Sequence, residues 1–206
     1  MTDEQNEKSP GKLDFNESYA AGTPPWDIGR PQPTLVELVD AGVIDGSILD
    51  VGCGTGENAL FYAEQGHTVL GVDAAENAIV KARAKAADRG LTDRAQFEVH
   101  DAFALGDLGQ QFDTVTDCGL FHVFGPDEVE AYGESLRSAL VPGGTYIMLG
   151  FSERDGRMGP STNEDLIGQA FGEGWRIEEI RESTFESTDP SKYNHHALLA
   201  IVTRLD

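Results

Sequence analysis

Residues 47–56 read Ser47-Ile48-Leu49-Asp50-Val51-Gly52-Cys53-Gly54-Thr55-Gly56. An apolar strand pattern runs into a turn with glycine at every second position, and a helical pattern follows. Glycine accepts positive φ and lets another group approach the backbone where a Cβ would stand. A helix that begins straight after such a turn leaves backbone N–H groups and a partial positive charge pointing at the same place. The turn is therefore built to hold a ligand. Two acids flank it, Asp50 at the strand end and Glu57 at the helix start. The dinucleotide fingerprint, G-x-G-x-x-G, sets a pyrophosphate on the helix N-terminus, where two carboxylates would repel it. A cationic ligand suits this turn better.

Downstream, strand and helix patterns alternate. A helix over about 57–65 stops at Gly66, and His67–Asp73 forms a second buried strand that ends in an acid. Residues 75–89 set Ala78, Ile79, Ala82 and Ala86 on one helical face. A third strand, Gln96–His100, ends at Asp101, and a fourth spans Phe112–Cys118. Pro126 opens a helix to about Leu140, and Pro142-Gly143-Gly144 turns into a fifth strand, Thr145–Phe151. This rhythm predicts an α/β fold, a doubly wound, mostly parallel sheet between two layers of helices. Near the C-terminus, after a helix over 163–171, Trp175–Phe185 and His196–Arg204 lack a helical pattern between them. They are expected to form an antiparallel hairpin at the sheet edge, for seven strands in all.

Upstream, residues 1–14 are polar and without periodicity, which predicts a mobile tail. Tyr19–Pro33 mixes aromatics with four prolines, so residues 15–33 are expected to form a stiff, irregular arm. Thr34 is expected to cap a short amphipathic helix ending near Gly42, and residues 34–206 to form the main domain.

The 206 residues suit one domain, and no run approaches the apolar length of a membrane span. Without a signal-peptide pattern, and with Cys53 and Cys118 as the only cysteines, the expected setting is a reducing cytoplasm. The 36 acidic residues outnumber 15 basic ones for a net charge of −21. Such a surface repels phosphate backbones and anionic membranes, so neither nucleic acid nor a membrane is an expected partner. Acid excess with only five lysines is a composition suited to high salt, which screens self-repulsion.

With Asp50-x-Gly52-x-Gly54-x-Gly56 after the first strand, Asp73 ending the second, Asp101-Ala102-Phe103 after the third and Pro142-Gly143-Gly144 before the fifth, residues 34–204 resemble the class I S-adenosylmethionine-dependent methyltransferases. The arm and Cys118-Gly119-Leu120-Phe121-His122-Val123-Phe124 resemble the small-molecule members related to thiopurine and heterocyclic-toxin methyltransferases. The resemblance implies that Gly52 and Gly54 lie against the methionine part of S-adenosylmethionine, with Asp50 supplying negative surroundings. It further implies that Asp73 accepts from the ribose hydroxyls, Asp101 from the adenine amino group, and that Ala102 and Phe103 line the ring. Cys118 and Gly119 are then expected near the transferring methyl. Ala74 stands where a polar residue often follows the ribose acid.

Methyl transfer from a sulfonium is an in-line displacement that requires alignment and exclusion of water but no metal. No metal is expected: His195 and His196 are adjacent on a strand and so point to opposite faces. Tyr19, Trp26 and Arg30 on the arm, with Phe121, His122 and Phe124 after the fourth strand, are the expected cover of the site. Trp26 and Arg30 fall on the cofactor side, Tyr19, Phe121, His122 and Phe124 on the side of a flat, apolar acceptor. In this reading the arm is a lid, with Trp26 near the sulfonium, and His122 is the candidate general base. Each residue has a plainer alternative: Asp50, Asp73 and Asp101 as turn or helix caps, Phe103 as core, Trp26 as an anchor of the arm, His122 as packing. The expected protein is a monomer or weak homodimer that methylates a small acceptor and releases S-adenosylhomocysteine. A cofactor-binding protein without turnover and a nicotinamide oxidoreductase are the other readings.

Overall fold

The computed structural model describes residues 14–153, 160–189 and 195–206. The expected tail lies outside them except for Asp14, whose side chain accepts from Glu17 N and caps a helix, α1 (Phe15–Ala21). Helix α2 (Pro33–Asp40) follows, then β1 (Ser47–Val51), α3 (Glu57–Glu64), β2 (Thr68–Asp73), α4 (Glu76–Asp88) and β3 (Ala95–Val99). A 3-10 segment (Ala102–Leu108) leads to β4 (Phe112–Cys118), and another (Phe121–Val123) to α5 (Pro126–Ala139). The chain ends with β5 (Leu140–Phe151), α6 (Glu164–Ala170), β6 (Trp175–Phe185) and β7 (His195–Arg204).

The seven strands form one sheet in the order β3-β2-β1-β4-β5-β7-β6. β1 to β5 pair in parallel, and β7 inserts antiparallel between β5 and β6. Both faces are covered, as the near-continuous apolar strands require. Along β1, Ile48 joins a core with Leu35, Leu60 and Ile79 of α2, α3 and α4. Leu49 and Val51 point the other way, toward Val129 and Leu136 of α5 and Ile167 of α6. The period of two seen in β1 recurs in β5, where Ile147 and Leu149 face the first core, Tyr146 and Met148 the second.

Three expectations need correction. Residues 15–21 are helical, because the arm's first proline is Pro24 and Asp14 supplies the cap. Thr34 does not cap α2: Gln32 is the N-cap, Pro33 takes the first turn, and the Thr34 hydroxyl bonds Ser183 Oγ at 2.9 Å. β5 begins at Leu140, paired with Phe112, so Pro142-Gly143-Gly144 lies within the strand at a register shift. His195 and His196 start β7 opposite Phe185 and Thr184; the His195 side chain is outside the described residues. No group of three or more metal-ligating side chains and no helix able to cross a membrane occurs among the described residues.

Candidate functional site

Strand order reverses between β1 and β4: the chain leaves β1 toward β2 and β3, then crosses to β4 and β5. In doubly wound sheets ligands bind at the carboxyl ends of the strands at such a point. The glycine turn follows β1 there, Asp73 ends β2, Asp101 follows β3, and Cys118 ends β4.

Gly52, Gly54 and Gly56 all have positive φ, at 68°, 54° and 85°. The protein itself fills the space that a Cβ would claim. At Gly52 such an atom would stand 2.9 Å from Leu120 Cβ, and at Gly54 2.6 Å from the Tyr19 hydroxyl. Glycine is thus demanded by backbone conformation and by the chain's own packing. Asp73 ties the turn down: Oδ2 accepts from Gly54 N and Oδ1 from Ala75 N, each at 2.8 Å. Burial raises its pKa, against these two bonds. Ala74 beside it is exposed.

Asp50 is fully buried, on the face of β1 that looks at α3. Thr116 Oγ1 donates to its Oδ1 at 2.9 Å, the backbone amide of Ala59 favours its charged form, and its buried Oδ2 has no hydrogen-bond partner. Burial, with Asp117 and Asp73 adding repulsion, pushes the Asp50 carboxyl up to about 7. The Tyr62 hydroxyl is also buried, within the field of Asp50 and beside Thr116. Glu57, by contrast, is neutralised by Lys85 at 2.7 Å and Arg89 at 2.8 Å. The negative potential at the turn therefore comes from Asp50 and Asp73, not from Glu57.

The arm lies over this turn. Trp26 Nε1 donates to the Tyr19 hydroxyl at 3.0 Å, and the two rings meet edge to face. Thr55 Oγ1 donates to Asp27 Oδ2 at 2.7 Å, and Lys81 Nζ donates to the carbonyls of Tyr19 and Gly22. On its other side the arm holds the end of β6. Gln32 donates from Nε2 to Glu186 O and accepts from Glu186 N, both at 2.9 Å. Arg30, expected at the cofactor, is exposed and ion-paired with Glu186. Tyr19, expected at the acceptor, is buried against the glycine turn.

After β3, Asp101 caps the 3-10 segment by accepting from Phe103 N at 2.9 Å. Ala102 is half-buried, its carbonyl accepting from Ser135 Oγ at 2.7 Å. The Phe103 ring is 38% exposed and meets Phe124 edge to face at 4.8 Å. Cys118 is half-buried, and burial pushes its thiol pKa up, against a smaller effect of the nearby Asn58 side chain. Gly119 has φ 89°, and a Cβ there would lie 3.4 Å from the Phe185 ring and 3.6 Å from His122 Cε1. Phe121 has no exposed surface: it stacks on Phe171 in the core and offers a ligand nothing directly.

His122 is 7% exposed, its ring 4.5 Å from that of Phe151. Phe151 N donates to Nδ1 at 3.4 Å, which places the ring proton on Nε2. Burial drives its pKa down to about 4. A ring of this kind is neutral at pH 7, a weak base and a hydrogen-bond donor, which does not support the expected general base.

Sequence reasoning passed over Asp117, a buried carboxylate bonded to the Leu120 and Phe121 amides and to the Tyr132 and Tyr146 hydroxyls. Its one signal was a second acid inside an apolar strand, Asp113 being the first. Gln32, Leu120, Phe151 and Phe185 were also missed, since only the fold brings them to the site.

Residues 48–144 match a family described as a methyltransferase domain. The 2-heptyl-1-hydroxyquinolin-4(1H)-one methyltransferase of Mycobacteroides abscessus is 42% identical over 133 residues, 65% of this chain and 58% of that protein. The match thus spans less than two thirds of that relative's length. Thiocyanate methyltransferase 1 of Brassica oleracea is 31% identical over 162 residues, 74% of this chain and 70% of that protein. A structure solved in work on conversion of a disulfide bond into a thioacetal group during echinomycin biosynthesis is 39% identical, with a TM-score of 0.83. It covers 92% of this chain, which covers 88% of it. By the matched domain, these relatives and its own strand order, the chain belongs to the class I S-adenosylmethionine-dependent methyltransferases.

Proposed function

We propose that the protein transfers a methyl group from S-adenosylmethionine to a small, flat acceptor, apolar or heterocyclic, through an O, N or S nucleophile. One observation carries this: buried and half-buried carboxylates gather at the switch point around a glycine turn, and Asp50 Oδ2 is left without a hydrogen bond. That site is short of positive charge, and a ligand bearing an ammonium and a sulfonium supplies it. S-adenosylmethionine, when bound, provides a methyl on a cationic sulfur, open to in-line attack.

The residues then divide the work. Asp73 has spent one lone pair of each oxygen on Gly54 N and Ala75 N and keeps the others for ribose hydroxyls. Asp101 has one oxygen on Phe103 N and the other for the adenine amino group, with Ala102 and the Phe103–Phe124 pair along the ring. Gly52, Gly54, Cys118 and Gly119 border the methionine and methyl region. On the acceptor side stand His122, Phe151 and Phe185, whose rings follow one another at 4.5 and 4.7 Å. His122 Nε2–H steadies the acceptor as a donor, and an acceptor acidic enough to ionise by itself gives its proton to solvent before the methyl is transferred. The arm, residues 15–33, is a lid on the domain formed by 34–206, with Tyr19 and Trp26 excluding water over the turn.

Acceptors named for the relatives support the class: a hydroxyquinolone is flat and heterocyclic, and thiocyanate is a small sulfur nucleophile. The net charge of −21 favours such acceptors over nucleic acid. Two unpaired cysteines accord with a cytoplasmic protein, taken here as a monomer or weak homodimer. Calorimetric titration with S-adenosylhomocysteine and with NADH is the first test, followed by methyl transfer to 2-heptyl-1-hydroxyquinolin-4(1H)-one and to thiocyanate. Binding of S-adenosylhomocysteine alone and transfer to one of these is expected. Binding of NADH instead overturns the reading, and so does binding of S-adenosylhomocysteine without transfer to any phenol, N-hydroxy heterocycle or thiol.

A further inference from the structure

Asp117 is the next-to-last residue of β4 and has no exposed surface. A buried carboxylate is costly, and an apolar residue of similar size would fill the space at less expense. Its bonds show what it does there. Oδ1 accepts from Leu120 N at 2.9 Å and from Phe121 N at 3.1 Å. Oδ2 accepts from Phe121 N at 3.0 Å, from the Tyr132 hydroxyl at 2.8 Å and from the Tyr146 hydroxyl at 3.0 Å. Tyr132 comes from α5 and Tyr146 from β5, both wholly buried. The carboxylate is thus oriented from the core side by two hydroxyls and grips the start of the segment 119–124 with its remaining lone pairs.

That segment touches three parts of the site. Leu120 lies against the bare face of Gly52 in the glycine turn. The His122 ring lies beside Phe151 at the end of β5, and the Phe124 ring against Phe103 after β3. Its first residue is tied to the sheet through Gly119 N, which donates to Leu149 O at 2.9 Å. The segment has no other regular structure than the single 3-10 turn at Phe121–Val123, so its course depends on the bonds that begin it.

We propose that Asp117 is a positioning residue for the methyl-donor site: its carboxylate fixes the segment 119–124 where Leu120 backs the glycine turn and Phe124 backs Phe103. This rests on the methyltransferase reading above. Asp117→Ala removes all the acceptors and leaves two amides and two hydroxyls unpaired. Asp117→Asn keeps one acceptor oxygen for the Leu120 and Phe121 amides, and its NH2 can donate to the tyrosine oxygens.

The test begins with amide hydrogen exchange of the full chain without any ligand. In Asp117→Ala the amides of 119–124 are expected to exchange at least tenfold faster while β1 keeps wild-type protection; in Asp117→Asn the change is expected below threefold. The calorimetric Kd for S-adenosylhomocysteine, taken at a temperature where each variant is folded, is expected to rise about tenfold in Asp117→Ala and less than threefold in Asp117→Asn. Exchange within twofold of wild type overturns the proposal. Faster exchange with an unchanged Kd overturns it too, because the segment is then held for stability alone. Should Asp117→Ala not fold, the double variant Tyr132→Phe/Tyr146→Phe takes its place, since it leaves the amide bonds and removes only the hydroxyls that orient the carboxylate. A rise of at least threefold in both readings supports the proposal and no change refutes it. A wild type that binds no S-adenosylhomocysteine refutes the methyltransferase reading, whereas unchanged exchange in Asp117→Ala, with a wild type that does bind it, refutes the role of Asp117.

Discussion

Replacing Asp50 by asparagine should stabilise the ligand-free protein at neutral pH, and by an amount that depends on pH. The wild-type carboxyl is buried with one bond from Thr116 and one oxygen unsatisfied, and its pKa rises from 3.8 to about 7. At 1.36 kcal/mol per unit, holding this group as an anion costs about 4 kcal/mol. The sign follows from linkage. A group whose folded pKa lies above its unfolded value contributes its full stability below the unfolded value and loses it as pH rises through the folded one. Asp50 therefore weakens the fold progressively between pH 4 and 7. Asparagine cannot ionise, but its NH2 needs a partner in a buried place, which costs about 1–3 kcal/mol where none is found. At pH 4.5 the variant should be level with wild type or up to about 3 kcal/mol less stable. By pH 8 the difference should have moved in its favour by about 3–4 kcal/mol. Urea unfolding at the two pH values, at one fixed high salt concentration, measures that shift directly. A stability difference between variant and wild type that is the same at pH 4.5 and pH 8 would refute the argument. The same proton bears on ligand binding: wild-type affinity for S-adenosylhomocysteine, whose ammonium is cationic, should rise between pH 6 and 8 as Asp50 ionises, and asparagine should abolish that rise.

Gly54→Ala combines φ 54° with a Cβ 2.6 Å from the Tyr19 hydroxyl, so about 1–2 kcal/mol of backbone strain joins a forced displacement of the arm. Limited proteolysis within residues 15–33 should then speed up, and an unchanged cleavage rate would show that Tyr19 gives way freely. Gln32→Ala strips two hydrogen bonds from the Glu186 backbone and should cost about 1–3 kcal/mol in thermal unfolding, with faster exchange at Glu186. Loss of less than a few tenths of a kcal/mol would mean that the arm's other bonds, those of Asn16, Pro25, Asp27 and Lys81 among them, hold it without these two. The net charge of −21 predicts that the melting temperature climbs between about 0.1 M and about 2 M KCl as self-repulsion is screened; a flat profile would remove the argument from composition to a salty habitat.

What the sequence made legible is what depends on neighbours along the chain. The strand and helix patterns of β1 to β4 and α3 to α5 follow from apolar spacing, and the acids at 50, 73 and 101 stand out because each ends or follows an apolar run. Partners far along the chain were not legible. Glu57 read as an acid that repels anions, yet Lys85 and Arg89, 28 and 32 residues away, cancel it. Asp117 drew no reading of its own within the fourth strand, and its meaning lies in Tyr132 and Tyr146, 15 and 29 residues on. His122 read as a base because its ordinary pKa is near neutral, whereas burial beside Phe151 drives that pKa down to about 4 and makes it a weak one.

These long-range pairings also explain why the turn prefers a cation although basic residues surround it. Lys85 is occupied by Glu57 and the Thr55 hydroxyl, Arg89 by Glu57 and Glu64, and Lys81 by two carbonyls of the arm. Arg83 donates to Phe97 O, and Arg30 is paired with Glu186. Each of these positive side chains of the arm and α4 is committed to a structural partner, whereas Asp50 and Asp73 have only neutral donors. Neutral hydroxyl and amide donors leave the charge of an ionised carboxylate uncancelled, and at these buried positions water screens it poorly, so the negative potential grows as Asp50 ionises. The arm adds to the effect, because Tyr19, with Trp26 bonded to it, packs against the turn at Gly54 and takes up space that water would otherwise fill.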